Sequence, residues 1–261
     1  MPEGRRVKDQ LGIWLVREQA EGVGRVLEQR LGGTLFRPWQ SEAPQREQFK
    51  DLFQQYSGWV LMMSTGIAMR FIDGAICDKH TDPAVVVLDE ACRFAISLLG
   101  GHEAGGNDLA YRVANVVGAI PVITTATEAL KPLVVGIGCR KGAGAEQIER
   151  AVRRALGERD LAQVREIATI ALKAEELGLV RFCEQHNIPL RVIATEQVAA
   201  RTWVTQASEW VRKNVGVDGV CEPCALIACT RGKLVVPKTA LDGVAVAVVE
   251  DITCCEIFFP S

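Results

Sequence analysis

Apolar and polar positions along this chain follow two periods in turn, one of two residues and one of three to four, and the switch recurs from one end to the other. Short apolar runs bounded by Gly, Pro or charged residues predict strands at Gly12–Val16, Thr34–Pro38, Gly58–Met63, Ala84–Leu88, Phe94–Leu99 and Pro121–Thr124. Helical spacing predicts Gly22–Arg30, Gln45–Gln55 and Asn107–Val117 as helices, with a helical turn near Ile67–Phe71. Beyond Thr127–Pro132 the pattern restarts with KPLVVGIGCRKG, a strand ending in glycines. Helix Ala145–Leu156, strand Val164–Ile170, helix Glu175–His186, strand Leu190–Ala194 and helix Val204–Val215 follow. After Cys221–Arg231 come strands Lys233–Val236 and Val244–Val249. This alternation predicts two layered α/β domains with mostly parallel sheets, residues 1–129 and 130–261, alike in architecture but without an internal sequence repeat.

With 261 residues, 48% of them hydrophobic, the chain can bury a full core in each domain. Thirty basic residues nearly balance 32 acidic ones, and no basic stripe is interleaved with aromatics, so nucleic acid is not an expected partner. No apolar stretch reaches the roughly 18 residues that span a bilayer, and the start, MPEGRRVKDQ, lacks the apolar core of a signal peptide. A cytoplasmic protein away from membranes is expected. The nine cysteines are odd in number and lie mostly in apolar runs, which predicts reduced thiols rather than bridges. Cys221-x-x-Cys224 has the spacing of a zinc or redox knuckle, yet no second pair or His stands at ligand distance and Pro223 lies between the two. Adjacent Cys254 and Cys255 fall in a predicted terminal strand, where neighbours point to opposite faces. Core packing is the expectation for all of them, and no metal site is expected in the protein.

The richest segment for chemistry is Ile96–Thr127. A buried strand stops at Gly100-Gly101-His102, and Gly105-Gly106-Asn107 opens a helix whose first amides would face a carboxylate or phosphate. A tight strand-to-helix connection accounts for the same residues. Ser64-Thr65-Gly66, Lys79-His80-Thr81-Asp82-Pro83 and the hydroxyls of Thr124, Thr125 and Thr127 fall at other strand ends, where open α/β sheets place ligand crevices. Together the four clusters predict one polar crevice, although each taken singly reads as a turn or a cap. In the second half, Gly136, Gly138, Arg140 and Lys141 follow a strand and resemble an anion cradle, but neither a dinucleotide fingerprint nor a P-loop is present. Glu222 and Lys238 sit beside prolines at expected element ends, as ligand groups or as an ion pair with each other.

The series STGIAMRFI, KHTDPAVVVLDE, ISLLGGHEAGGNDLA and GAIPVITTAT, in that order from Ser64 to Thr127, resembles the N-terminal domain of the CbiG family, the cobalt-precorrin 5A hydrolases of anaerobic cobalamin biosynthesis. VVGIGCRKG, VGVDGVCEPCAL and LVVPK are similar to that family's C-terminal domain, which also occurs as a separate CobE-type protein. Two departures stand out. The middle domain of many members is missing between Thr127 and Val134, and the glycine pair lies one residue further from His102, with no alanine before Asn107. The resemblance implies that water opens a δ-lactone and that the extruded meso carbon leaves with its methyl group as acetaldehyde, giving cobalt-precorrin 5B. Lactone opening needs a general base, and the residues offer His102 for it, with Lys79 and Asp82 as runners-up for acid or orienting roles. Substrate carboxylates would be held by Arg140, Lys141 and Lys238 together with the amides of Gly66, Gly106 and Gly138. Cobalt would arrive inside the substrate, so no cofactor is implied. Left open are a homodimer, transient contacts with neighbouring pathway enzymes, a non-catalytic role as carrier of a corrinoid intermediate and, on the glycine loops and α/β layering alone, a nucleotide- or sugar-phosphate-binding enzyme.

Overall fold

The computed structural model describes residues 10–201 and 204–252; the Cys254-Cys255 pair lies outside them. Contacts divide the chain into two compact units at Thr125/Ala126.

The first unit contains β1 (Leu11–Leu15), α1 (Glu21–Leu31), β2 (Thr34–Phe36), α2 (Gln45–Phe53), β3 (Gly58–Met62), α3 (Thr65–Ile72), β4 (Ala84–Leu88), β5 (Phe94–Leu99), α4 (Gly106–Val117) and β6 (Ile120–Val122). Its sheet runs β2-β1-β3-β4-β5-β6, and the central strands are apolar on both faces because helices cover both. Ile13, Leu15, Val60, Met62 and Val86 pack with Leu27 of α1 and Leu109 and Val113 of α4. The alternate residues Trp14, Trp59, Leu61, Val85 and Val87 pack with Phe49 and Phe53 of α2 and Ile72 of α3.

Strands β1 to β4 are mutually parallel, but β5 returns antiparallel to β4, with Leu99 opposite Val85 and Ala95 opposite Leu88, and β6 runs parallel to β5. The carboxyl ends of β5 and β6 therefore lie at the edge where β1 to β4 begin. This reversal decides which loops become neighbours.

The second unit contains α5 (Ala126–Ala129), β7 (Leu133–Cys139), α6 (Ala145–Leu156), β8 (Val164–Ile170), α7 (Leu177–His186), β9 (Leu190–Ile193), α8 (Thr195–Ala199), α9 (Glu209–Val215), α10 (Cys221–Ala228), β10 (Gly232–Leu241) and β11 (Val244–Asp251). Its sheet order is β10-β11-β7-β8-β9, parallel from β7 to β9 and antiparallel at β7/β11 and β11/β10. Along β7, Leu133, Val135 and Ile137 face α6 and α7, whereas Val134, Gly136 and Gly138 fall on the opposite face with α10. A Cβ on Gly136 would overlap the carbonyl oxygen of Cys221 and stand 2.7 Å from its carbon; one on Gly138 would meet Val220 Cβ at 3.2 Å. The glycine-rich run read as an anion cradle is a seat for a helix.

Candidate functional site

At the starting edge of the first unit's sheet, the chain leaves β5 through Gly100, whose φ of +66° lies in the left-handed region. A Cβ there would approach Ala104 Cβ at 2.7 Å and Ala84 Cα at 3.3 Å, so the loop presses against the entry to β4. The carbonyl of Gly100 accepts from the N–H groups of Ala104 (3.0 Å) and Gly106 (2.9 Å), and that of Gly101 accepts from Asn107 N (2.9 Å). The opening amides of α4 are thus used inside the loop instead of facing a ligand, which corrects the expectation for Gly106 and Asn107. What the loop does present is His102, exposed at its crest, with Gly105 open beside it. Asn107 Nδ2 donates to Thr125 Oγ1 (2.9 Å), tying the start of α4 to the chain leaving β6. Thr124 is exposed next to it.

The segment 78–83 reaches the same edge. Asp82 is 4% exposed and accepts from Cys77 N through both carboxylate oxygens (3.0 Å each) and from Gln54 Nε2 (2.8 Å). It closes the loop through these bonds, a structural use in place of the expected acid or orienting role. Asp78 caps the turn by accepting from His80 N at 2.9 Å, and Lys79 and His80 stand exposed on it. Asp82→Ala is expected to lower stability by about 1–2 kcal/mol, because two partly covered donors, Cys77 N and Gln54 Nε2, lose their acceptor. Urea unfolding measures this, and an unchanged midpoint would return Asp82 to the candidates for chemistry.

Ser64, Thr65 and Gly66 follow β3 and lie at the opposite edge, near the β4–β5 turn, where Met63 N donates to Leu88 O (3.2 Å). The four expected clusters therefore do not converge: Lys79, His102, Asn107, Thr124 and Thr125 share one edge, and Thr65 and Gly66 occupy the other. Thr127 belongs to α5 of the second unit.

In the second unit, the carboxyl ends of β7, β8 and β9 and the β10–β11 turn share one edge. Arg140 N donates to Gly243 O (3.0 Å) and Gly142 N to Glu176 Oε1 (2.7 Å), so these loop amides are also used internally. The Arg140 and Lys141 side chains are exposed. Glu222, only 1% exposed, accepts from Thr205 N (2.8 Å), the Thr205 hydroxyl and Lys238 N (2.9 Å). It clasps α10 to the β10 bulge through the backbone of Lys238, and is neither a ligand group nor an ion-pair partner of the Lys238 ammonium. Sequence reasoning missed Gln54, Thr205 and Glu176, which act across folds of the chain that no local spacing reveals.

Burial raises the Glu176 carboxyl, but the Gly142 N–H and the charges of Lys173 and Lys141 outweigh it and hold the group below its ordinary 4.5. A depressed folded-state value contributes stability above about pH 4.5 that is lost as pH falls through the folded value. Between pH 6 and 3 the wild type should therefore lose more stability than Glu176→Gln, and parallel urea-midpoint curves would rule the clasp out.

The seven described cysteines are all free thiols. Cys221 and Cys224 are buried in α10, and burial pushes the Cys221 thiol up to about 12, far from a metal-binding thiolate. Among the described residues no group of three or more His, Cys, Asp or Glu could hold a metal ion, and no helix is long and apolar enough to cross a membrane.

The chain is thus a two-unit α/β protein with candidate ligand groups gathered at sheet edges. The family model "Cobalamin synthesis G N-terminal" matches residues 47–128 and "Cobalamin synthesis G C-terminus" matches residues 133–249. The chain belongs to this family, CbiG. It is 39% identical over 119 residues to the cobalt-precorrin-5A hydrolase of Priestia megaterium, a match covering 44% of this chain and 32% of that protein. The chain thus spans about a third of that relative's length. It is 25% identical to the probable cobalt-precorrin-5A hydrolase of Methanocaldococcus jannaschii, over 73% of this chain and 84% of that one. The crystal structure of CobE, a protein from the cobalamin biosynthetic pathway, is 27% identical over 47% of this chain and 92% of that chain, with a TM-score of 0.45.

Proposed function

We propose that this protein is a cobalt-precorrin-5A hydrolase, opening the δ-lactone of its substrate and releasing acetaldehyde to give cobalt-precorrin 5B. The observation that carries the reading is that the loops bearing His102, Lys79 and the Asn107–Thr125 pair emerge at one edge of the sheet. His102 removes a proton from water as it adds to the lactone carbonyl, and the acyl–oxygen bond breaks to leave a carboxylate and a hydroxyl. Loss of the hydroxyl proton then lets its oxygen form the aldehyde C=O while the carbon–carbon bond breaks, its electron pair passing into the macrocycle. Lys79 offsets the developing oxyanion charge. Arg140, Lys141 and Lys238 in the second unit suit the substrate's carboxylates. Cobalt enters as part of the substrate, and the protein supplies no cofactor of its own.

The reading puts the protein in the cytoplasm and admits a homodimer and transient contacts with neighbouring pathway enzymes. The test is anaerobic incubation of the full chain with cobalt-precorrin 5A, followed by an assay for acetaldehyde. Release at enzymatic rates supports the reading. Corrinoid binding without acetaldehyde would make the protein a carrier instead.

A further inference from the structure

We infer that the loop joining β8 to α7 is a corrinoid-contacting surface of the second unit, with Leu172 and Leu177 as the side chains that meet the apolar face of the macrocycle. This rests on the reading of the substrate as a cobalt-corrinoid. The loop is inverted in polarity. Its charged pair, Lys173 Nζ to Glu176 Oε2 at 3.1 Å, is the covered part, at 20% and 12% exposure, while Leu172 and Leu177 stand 63% and 70% exposed. One exposed leucine is ordinary on a protein surface, but here two leucines of one loop stand out while its ion pair is covered.

Nor do the leucines stand out because the loop is slack. Ala174 N donates to Ala171 O and Glu176 N to Lys173 O, both at 3.2 Å, and Glu176 also accepts from Gly142 N at 2.7 Å. Two apolar side chains are therefore held outward on a braced loop, beside the exposed cations Arg140 and Lys141. Exposed Glu175 is the loop's only acid without a partner in the clasp, and Asp242 of the neighbouring turn lies 3.7 Å from Arg150. Apolar knobs flanked by cations match a flat apolar ring with a rim of carboxylates. They do not suit an acidic peptide, which offers no flat apolar area.

The experiment uses the full chain and cobyrinic acid, a stable corrin polycarboxylate, titrated by absorbance at two salt concentrations. Leu172→Gln and Leu177→Gln should each weaken binding roughly tenfold with the salt slope unchanged. Arg140→Ala with Lys141→Ala should weaken binding and flatten the slope. A double leucine variant that binds like wild type overturns the inference, including the case in which it instead shifts the elution volume and so marks a protein contact. If wild type still releases acetaldehyde from cobalt-precorrin 5A in that event, the inference fails alone. A wild type that neither binds the corrin nor releases acetaldehyde overturns both.

Discussion

Gly136→Ala is expected to cost at least about 3 kcal/mol, a large share of the roughly 5–15 kcal/mol that holds a domain folded, and to lower the unfolding midpoint of the second unit sharply. The added methyl would overlap the carbonyl oxygen of Cys221 and stand 3.0 Å from Ala225 Cβ, and an obstacle made of backbone can yield only if α10 moves off β7. Moving α10 would break the clasp in which Glu222 accepts from Thr205 N and Lys238 N, and would open the cluster of Val134, Ile170, Cys224 and Val249. Gly144→Ala is the matched control. Nothing lies within 4 Å of its added methyl, and its φ of −77° suits any residue, so a change within about 1 kcal/mol is expected from the altered helix start. Thermal and urea unfolding of the two variants give the comparison. Equal midpoints for Gly136→Ala and wild type would mean that α10 is not seated on β7 as described.

The same residue shows where sequence reading succeeds and where it misleads. Strands Ala84–Leu88, Phe94–Leu99 and Val164–Ile170 and helix Ala145–Leu156 coincide with expectation because their apolar periods match the faces they bury. Helix α10 carried no such period, since Cys221, Pro223, Cys224 and Ala225 are all buried and the helix is apolar nearly all round. Without a visible α10, Gly136 and Gly138 had no packing partner and read as a ligand loop. The expected helix Val204–Val215 starts only at Glu209, because the Ser208 hydroxyl accepts from Val211 N and begins it there. Strand β10 runs past Pro237, which marked an end in the sequence; at the sheet edge, bulges on either side of Val236 absorb the proline.

The candidate site of the first unit was legible as a set of residues but not as a place. Which clusters meet depends on the reversal between β4 and β5, and a trace of that reversal was present. Only Asp89–Arg93 separate the two strands, too few for the crossover of a dozen or more residues that a parallel pair requires. Read that way, the gap puts the loop after β5 beside the loop before β4. It puts Lys79 and His102 at the same edge and parts both from Thr65 and Gly66. The roles of Asp82 and Glu222 had no such trace, since their donors come from Gln54, 28 residues away, and from Thr205 and Lys238, 17 and 16 residues away.

His102→Ala should lower the rate of acetaldehyde release by about 10²–10⁴-fold, the usual range for loss of a positioned acid–base group, while leaving KM nearly unchanged. The side chain is exposed on a loop whose shape is set by backbone bonds at Gly100 and Gly101, so its removal should not disturb the fold. The variant's unfolding midpoint should match wild type within about 0.5 kcal/mol. Lys79→Ala should lower the rate less, because a cation that offsets charge does not itself carry the proton.

The most direct measurement is acetaldehyde released from cobalt-precorrin 5A under anaerobic conditions by wild type and His102→Ala side by side, with corrinoid binding recorded for both. The account predicts release by wild type, its near loss in the variant, and equal binding. Undiminished release by the variant, or none from a wild type that still binds the corrinoid, would contradict it.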